Sequence, residues 1–263
     1  MKPLLVNVGN TCTTLARSGR SGAVVVLDRR AGGYDGEPRR AARLVSRLVA
    51  ANGLDDSIVC SVVPVQTVFW TRILGEALGR RPLLLNPEMD LGVRIECPAP
   101  GRIGADRLAD VCAAVHLHGS PVMVVDIGTA ATFNMVLGGG LFVGGAIAPG
   151  PALFTEYMAA RTAQLPAVPL PSGHAPASGR TTQAAMQLAL RVGYPAMVDA
   201  IAGHILSGAG GRGRVVLTGG YSRWAGPRCR IRHTVDPLLT LRGIARAYDL
   251  NAVRDGSTAR TGG

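Results

Sequence analysis

Apolar and polar positions along the chain follow two alternating periods. Short apolar runs bounded by turn residues predict strands at Leu4–Val6, Ala23–Leu27, Ile58–Val63 and Leu83–Leu85. Between them, apolar residues at helical spacing (Leu44, Val45, Leu48, Val49) predict a helix over 41–51 after a loop at 31–38. Further helices are expected at Val68–Leu78, where Pro64 has ended the preceding strand, and at Asp106–His118, with Leu108, Val111, Cys112 and Val115 facing inward. The second half repeats the alternation. Strands are expected at Val122–Val125, Phe133–Leu137, Leu141–Val143 and Val215–Leu217. Helices are expected at Pro149–Ala160, at Thr182–Leu206 with an interruption near Pro195, and at Leu239–Tyr248. Four prolines (Pro166, Pro169, Pro171, Pro176) make 164–178 a loop. Strands alternating with helices place the chain in the α/β class.

One pattern occurs twice. Leu4 to Thr14 (L-L-V-N-V-G-N-T-C-T-T) and Val124 to Thr132 (V-V-D-I-G-T-A-A-T) each give an apolar strand, an Asx residue, a spacer, Gly and then hydroxyl side chains. Two copies about 120 residues apart predict two related lobes, 1–119 and 120–263, with the boundary near Ser120. Such a strand end suits phosphate chemistry. The Gly lets backbone approach an anion, the following N–H and hydroxyl groups donate to its oxygens, and a carboxylate at the strand end can hold a cation. A single copy is weak, because the same turn closes ordinary hairpins. Two copies and a third Gly-rich strand end, Val215 to Tyr221 (V-V-L-T-G-G-Y), together point to a nucleotide.

Composition narrows the picture. With 263 residues, 47% apolar and 17% charged, the chain can bury a large core, which excludes a disordered chain. The net charge is +11 and 27 of the 28 basic residues are Arg, yet they spread from Arg17 to Arg260. The pairs Arg29-Arg30, Arg39-Arg40 and Arg80-Arg81 read as solvated faces and loop ends, so no specific nucleic-acid site is expected. Five widely spaced cysteines without a C-x-x-C pair fit a reduced, cytoplasmic protein, and the apolar start is too short for a signal peptide. The 29 uncharged residues from Ile127 to Thr155 include seven Gly and two Pro, so strands and turns are expected there and no membrane span.

The remaining motifs carry a resemblance. S-V-V-P (Ser61 to Pro64), G-A-D-R (Gly104 to Arg107), D-I-G-T-A-A-T (Asp126 to Thr132), G-G-A-I-A-P-G (Gly144 to Gly150), T-A-Q-L-P (Thr162 to Pro166), G-R-T-T (Gly179 to Thr182), T-G-G (Thr218 to Gly220) and L-T-L-R-G-I (Leu239 to Ile244) are similar to those of type III pantothenate kinases. That family belongs to the superfamily of actin, sugar kinases and acetate kinase. The resemblance implies an α/β fold of two related ribonuclease-H-like (actin-like) lobes with a nucleotide cleft between them. It implies ATP-dependent phosphorylation of the pantothenate hydroxyl, the first step of coenzyme A biosynthesis. By position, Asp106 would accept the hydroxyl proton, Gly104, Ala105, Asp106 and Arg107 would hold the substrate, and Thr182 would close the site. Asn7, Val8, Gly9, Asn10, Thr11, Cys12, Thr13, Thr14 and Thr129 would contact ATP, accompanied by magnesium. Asp126 would ligate a monovalent cation, potassium or ammonium, and the protein would be a homodimer with its active site near the subunit interface.

Three positions depart from the family pattern: Asn7 and Asn134 replace Asp, and Cys97 replaces Tyr. Asn7 and Asn134 favour a second reading, a catalytically weak relative with a nucleotide-binding or regulatory role. Asp106, Arg107, Asp126, Thr129 and Thr182 favour a working kinase.

Overall fold

A computed structural model describes residues 1–19, 22–34 and 36–252. In chain order the first part comprises β1 (Pro3–Val8), β2 (Cys12–Ser18), β3 (Val24–Ala31), α1 (Pro38–Asn52), β4 (Asp56–Ser61), α2 (Pro64–Leu78), β5 (Leu83–Leu84), β6 (Arg94–Ile95) and α3 (Ala105–His118). The second comprises β7 (Val122–Ile127), β8 (Ala130–Leu137), β9 (Leu141–Pro149), α4 (Pro151–Arg161), α5 (Thr182–Gly208), β10 (Arg214–Thr218), α6 (Ser222–Ala225) and β11 (Thr234–Val235), and α7 (Leu239–Asn251) closes the chain.

Two compact units result. One spans Met1–Leu117 and takes back residues 238–252; the other is His118–Pro237. The division expected from the repeat, 1–119 and 120–263, leaves the last helix with the second half. In the structure α7 belongs to the first unit, where it packs against β1 and β4. Its buried Leu239, Leu241, Ile244, Ala247 and Tyr248 supply the apolar face. Gly243 has no side chain to keep α7 off the Ala109 carbonyl of α3. A polar anchor completes the contact. The Tyr248 hydroxyl donates at 2.7 Å to Asp56, a carboxylate only 2% exposed that also pairs with Arg80 at 3.3 Å. A buried carboxylate needs such partners, because an unpaired charge there is strongly destabilising.

The repeat holds at the level of topology. In the first unit the sheet order is β3-β2-β1-β4-β5, with β2 antiparallel and β4 parallel to β1. Within the second unit the order is β9-β8-β7-β10-β11, with β8 antiparallel and β10 parallel to β7. Alternation along β1 sends Leu4, Val6 and Val8 into a core with α1 and α2, where Trp70 is fully buried. Asn7 therefore points to the other face. Likewise Met123, Val125 and Ile127 of β7 pack with Tyr194, Val198 and Ala202 of α5, which turns Asp126 the opposite way.

Several elements exceed their expected bounds. β2 is a strand that the polar Thr-rich segment hid, and β9 continues to Pro149, through the Gly pair that reads as a turn. α5 runs unbroken from Thr182 to Gly208 with Pro195 inside it. The burial of Tyr194, Pro195, Val198 and Ala202 outweighs the one hydrogen bond that proline removes. Among the described residues no helix is long and apolar enough to cross a membrane, and the uncharged stretch from Ile127 to Thr155 is β8, β9 and the start of α4. All five cysteines are free thiols.

Candidate functional site

The first strand end is built on β1 and β2. The register pairs Asn7 with Thr14 on β2 and with Cys60 on β4, so these three side chains share one sheet face. The connection is tight: the Gly9 N–H donates to the Cys12 carbonyl at 3.0 Å, with Asn10 and Thr11 exposed at its tip. Val8 and Thr13 are 2% and 1% exposed on the core side, which leaves their backbone as the only part able to meet a ligand on Asn7's face. Cys12 is half-buried and accepts from Arg29 Nε at 3.4 Å.

The G-A-D-R segment comes to the same strand ends. The Val62 N–H, just past β4, donates to the Val8 carbonyl at 3.1 Å, and Val62 in turn lies against Gly104. A Cβ on Gly104 would stand 3.3 Å from Val62 and 2.6 Å from Asp106 Oδ1, so only Gly admits Asp106 in this position. Asp106 occupies the first turn of α3, and its Oδ1 accepts the Arg107 N–H at 2.8 Å. Burial raises the Asp106 pKa above the usual carboxylate range despite this bond, the Arg107 charge and the helix N-terminus. Arg107 is pulled down by burial and held up by Asp106, Cys97 and Asp110. Cys97, half-buried, thus lies within electrostatic reach of Arg107.

The second strand end sits on β7 and β8. The Gly128 N–H donates to the Ala130 carbonyl at 2.9 Å, which makes this turn one residue shorter than its counterpart at Gly9. Asp126 is paired in register with Thr132 on β8 and Thr218 on β10, and all three side chains share a face. The Thr218 hydroxyl is buried and, among the described residues, has no hydrogen-bond partner. Gly219 closes over the carboxylate. A Cβ there would be 2.1 Å from Asp126 Oδ1 and 2.6 Å from the Ile127 carbonyl, and its φ of +88° is itself a glycine conformation. Asn134 is fully buried and donates to Thr132 at 3.1 Å. Gly150 reaches back to the turn, its N–H donating to the Thr129 carbonyl at 2.9 Å.

Thr182 is exposed at the start of α5, directly after Thr181, which caps the helix by accepting the Ala184 N–H at 3.1 Å. Asn7 to Thr14, Gly104, Ala105, Asp106 and Arg107 thus belong to one unit, and Asp126, Thr129 and Thr182 to the other. The motif reading passed over Thr67, whose hydroxyl donates to Ser61 at 2.8 Å and steadies the end of β4. It also passed over Thr218 as an oxygen donor beside Asp126. Its place at the end of a strand parallel to β7 is the signal that would have found it.

The first unit provides a backbone turn for anionic oxygens and a half-buried carboxylate able to take a proton; the second provides another such turn and hydroxyl oxygens in register around a second carboxylate. A family profile described as type III pantothenate kinase matches residues 3–204. The type III pantothenate kinase of Moorella thermoacetica is 37% identical over 194 residues, covering 74% of this chain and 76% of that protein. Among solved structures, an inorganic polyphosphate/ATP-glucomannokinase from Arthrobacter sp. strain KM aligns with a TM-score of 0.50 at 16% identity, over 96% of this chain and 99% of that one. An activator of the 2-hydroxyisocaproyl-CoA dehydratase from Clostridium difficile aligns with a TM-score of 0.53 at 10% identity, over 100% and 99%. The structural likenesses establish the two-lobed actin-like fold, and the sequence match establishes the lineage: the chain belongs to the type III pantothenate kinase family.

Proposed function

We propose that Asp106 is the proton acceptor when this enzyme transfers the phosphoryl group of ATP to pantothenate, the entry reaction of coenzyme A biosynthesis. The observation that carries this reading is the placement of Asp106, half-buried at the start of α3, beside the strand ends that bear Asn7 and Gly9. Phosphoryl transfer passes through a loose transition state, so holding the hydroxyl in line counts for more than a strong base. Arg107 and the Gly104–Ala105 backbone bind the pantothenate carboxylate and amide, and Thr182 closes the site. The backbone from Asn7 to Thr14 and the Thr129 turn hold the ATP phosphates. Magnesium carried on those phosphates would supply neutralisation of the charge on the transferred group.

Asn7 stands where a carboxylate would order the metal's waters. Its amide keeps one acceptor oxygen and loses the charge. Asn7→Asp is expected to raise kcat by roughly 10- to 100-fold, the value of one charge-assisted hydrogen bond, measured at saturating ATP and magnesium. An unchanged kcat would show that position 7 does not act through the metal.

The oxygen donors around Asp126, with the unpartnered Thr218 hydroxyl in register beside it, fit a monovalent cation. Activity is expected to depend on potassium or ammonium, and Asp126→Asn to raise the half-saturating potassium by about 10-fold or more. Equal rates with potassium and with a bulky tetraalkylammonium salt would contradict the cation site.

Exposed apolar side chains on β9 and α4, namely Ile147 (65%), Phe154 (39%) and Tyr157 (59%), support a homodimer with the active site near the subunit interface. Light scattering should give twice the 27.2 kDa chain mass, and Ile147→Glu should return the monomer. A native protein of single-chain mass would refute this. The reduced thiols and the cofactor chemistry fit a cytoplasmic enzyme.

A further inference from the structure

The chemistry above leaves a concave, charged surface of the first unit unused. It lies between β3 and α1, is half-open to solvent with a volume of about 430 Å³, and is lined by Asp28, Tyr34, Arg40, Arg43, Leu44 and Arg47. Along the chain Arg39-Arg40 is one of several scattered pairs. Folded, the helix gathers Arg39, Arg40, Arg43 and Arg47 within an arc of about 100°, and α1 carries no acidic residue. The dispersed charge expected from the sequence is, on this helix, a face.

The cleft is built on a rigid floor. Tyr34 is 2% exposed, its ring packs edge-on to Trp70 at 5.4 Å, and its hydroxyl donates to Asp28. Glu37 fixes one side by accepting from Arg30 and, at 3.0 Å, from Arg40. Arg43 and Arg47, both exposed, form no ion pair among the described residues. They stand one helical turn apart, which matches two phosphate groups on one molecule. Leu44 offers an apolar wall, and Asp28 an acceptor for a ligand hydroxyl. The concavity has room for a small molecule and not for a macromolecular strand. A nucleic-acid track would need the basic surface to continue, but Arg29 is engaged with Cys12 and Arg30 with Glu37.

We propose that this cleft binds a small, hydroxyl-bearing molecule with two phosphate groups, seated on Arg43 and Arg47. The site is distinct from the ATP turn. α1 covers the sheet face of Val6 and Val8, opposite to Asn7. One hydrogen bond links the two regions: the Gly32 N–H at the end of β3 donates to the Thr11 carbonyl at 2.9 Å. The assay therefore keeps the ATP turn filled.

The test is calorimetric titration of the full chain with fructose 1,6-bisphosphate at about 0.15 M salt, with a non-hydrolysable ATP analogue and pantothenate at saturation. One equivalent of probe should bind. The double variant Arg43→Ala/Arg47→Ala should weaken binding by about 10-fold or more with an unchanged melting temperature, and Arg81→Ala should leave binding intact. No binding by the native protein, binding indifferent to the double variant, or equal loss in Arg81→Ala would overturn the site, the last by showing diffuse charge alone. A preference for short DNA over the bisphosphate would also overturn it.

Discussion

Replacing Asp106 with Asn should lower kcat by about 10²- to 10⁴-fold while raising the melting temperature at neutral pH. The two effects have one cause. Burial raises the carboxyl pKa of Asp106 above its unfolded value, and the Arg107 N–H bond at 2.8 Å does not cancel it. Between the unfolded and folded pKa values the folded chain holds a proton that the unfolded chain has lost. Stability therefore falls as pH rises through the folded pKa, and above it the ionised carboxylate opposes folding. Asn keeps the acceptor for Arg107 and removes the charge, so it stabilises at neutral pH. The gain vanishes below the unfolded value of about 3.9, where both side chains are neutral. The same shift moves the acid limb of the native kcat/KM profile, which reports the free enzyme, upward from the ordinary carboxylate value. A variant that is both slower and more stable identifies a charge kept for chemistry at a cost to the fold. Full activity in Asp106→Asn would remove it from the reaction.

Gly219→Ala should be almost as damaging without touching a titratable group. The new methyl would meet Asp126 Oδ1 at 2.1 Å and the Ile127 carbonyl at 2.6 Å, at a φ of +88° that costs on the order of 1–3 kcal/mol for a non-glycine residue. Relief requires Asp126 or the β10 turn to move by about 1 Å, and a displacement of that size in a positioning group costs about 100-fold in rate. Gly138→Ala, where nothing lies within 4 Å and φ is unremarkable, should leave kcat and melting temperature unchanged. Similar kinetics for the two variants would show that the closure over Asp126 has no part in the reaction.

These effects trace to features that the sequence reveals unequally. The Asx-x-Gly turns are legible because a strand end that must approach an anion tolerates few residue types, and the two copies do head equivalent strands, β1 and β7. G-A-D-R is legible for a related reason: the room for Asp106 exists only because position 104 has no side chain. Hydrophobic period marks the cores of α1 and α2, which bury one stripe each, and places α3, although α3 is buried all round from Leu108 to Ala114. It hid β2, whose Thr13 is buried as deeply as any apolar neighbour, and the far half of β9, where Gly144 and Gly145 lie in a strand. At Pro195 local backbone chemistry predicts a break, and the packing of α5 on its sheet overrides it. The return of α7 to the first unit depends on long-range contacts, Tyr248 to Asp56 across 192 residues, that no local pattern records. The same holds for the arginines of α1, adjacent in space only once the helix forms.

Product analysis of the native chain with ATP, magnesium, potassium and pantothenate tests the central claim most directly. Mass spectrometry should show 4'-phosphopantothenate formed in step with ADP, and neither above background in Asp106→Ala. ADP without phosphopantothenate, or phosphopantothenate formed at the native rate by Asp106→Ala, would contradict it.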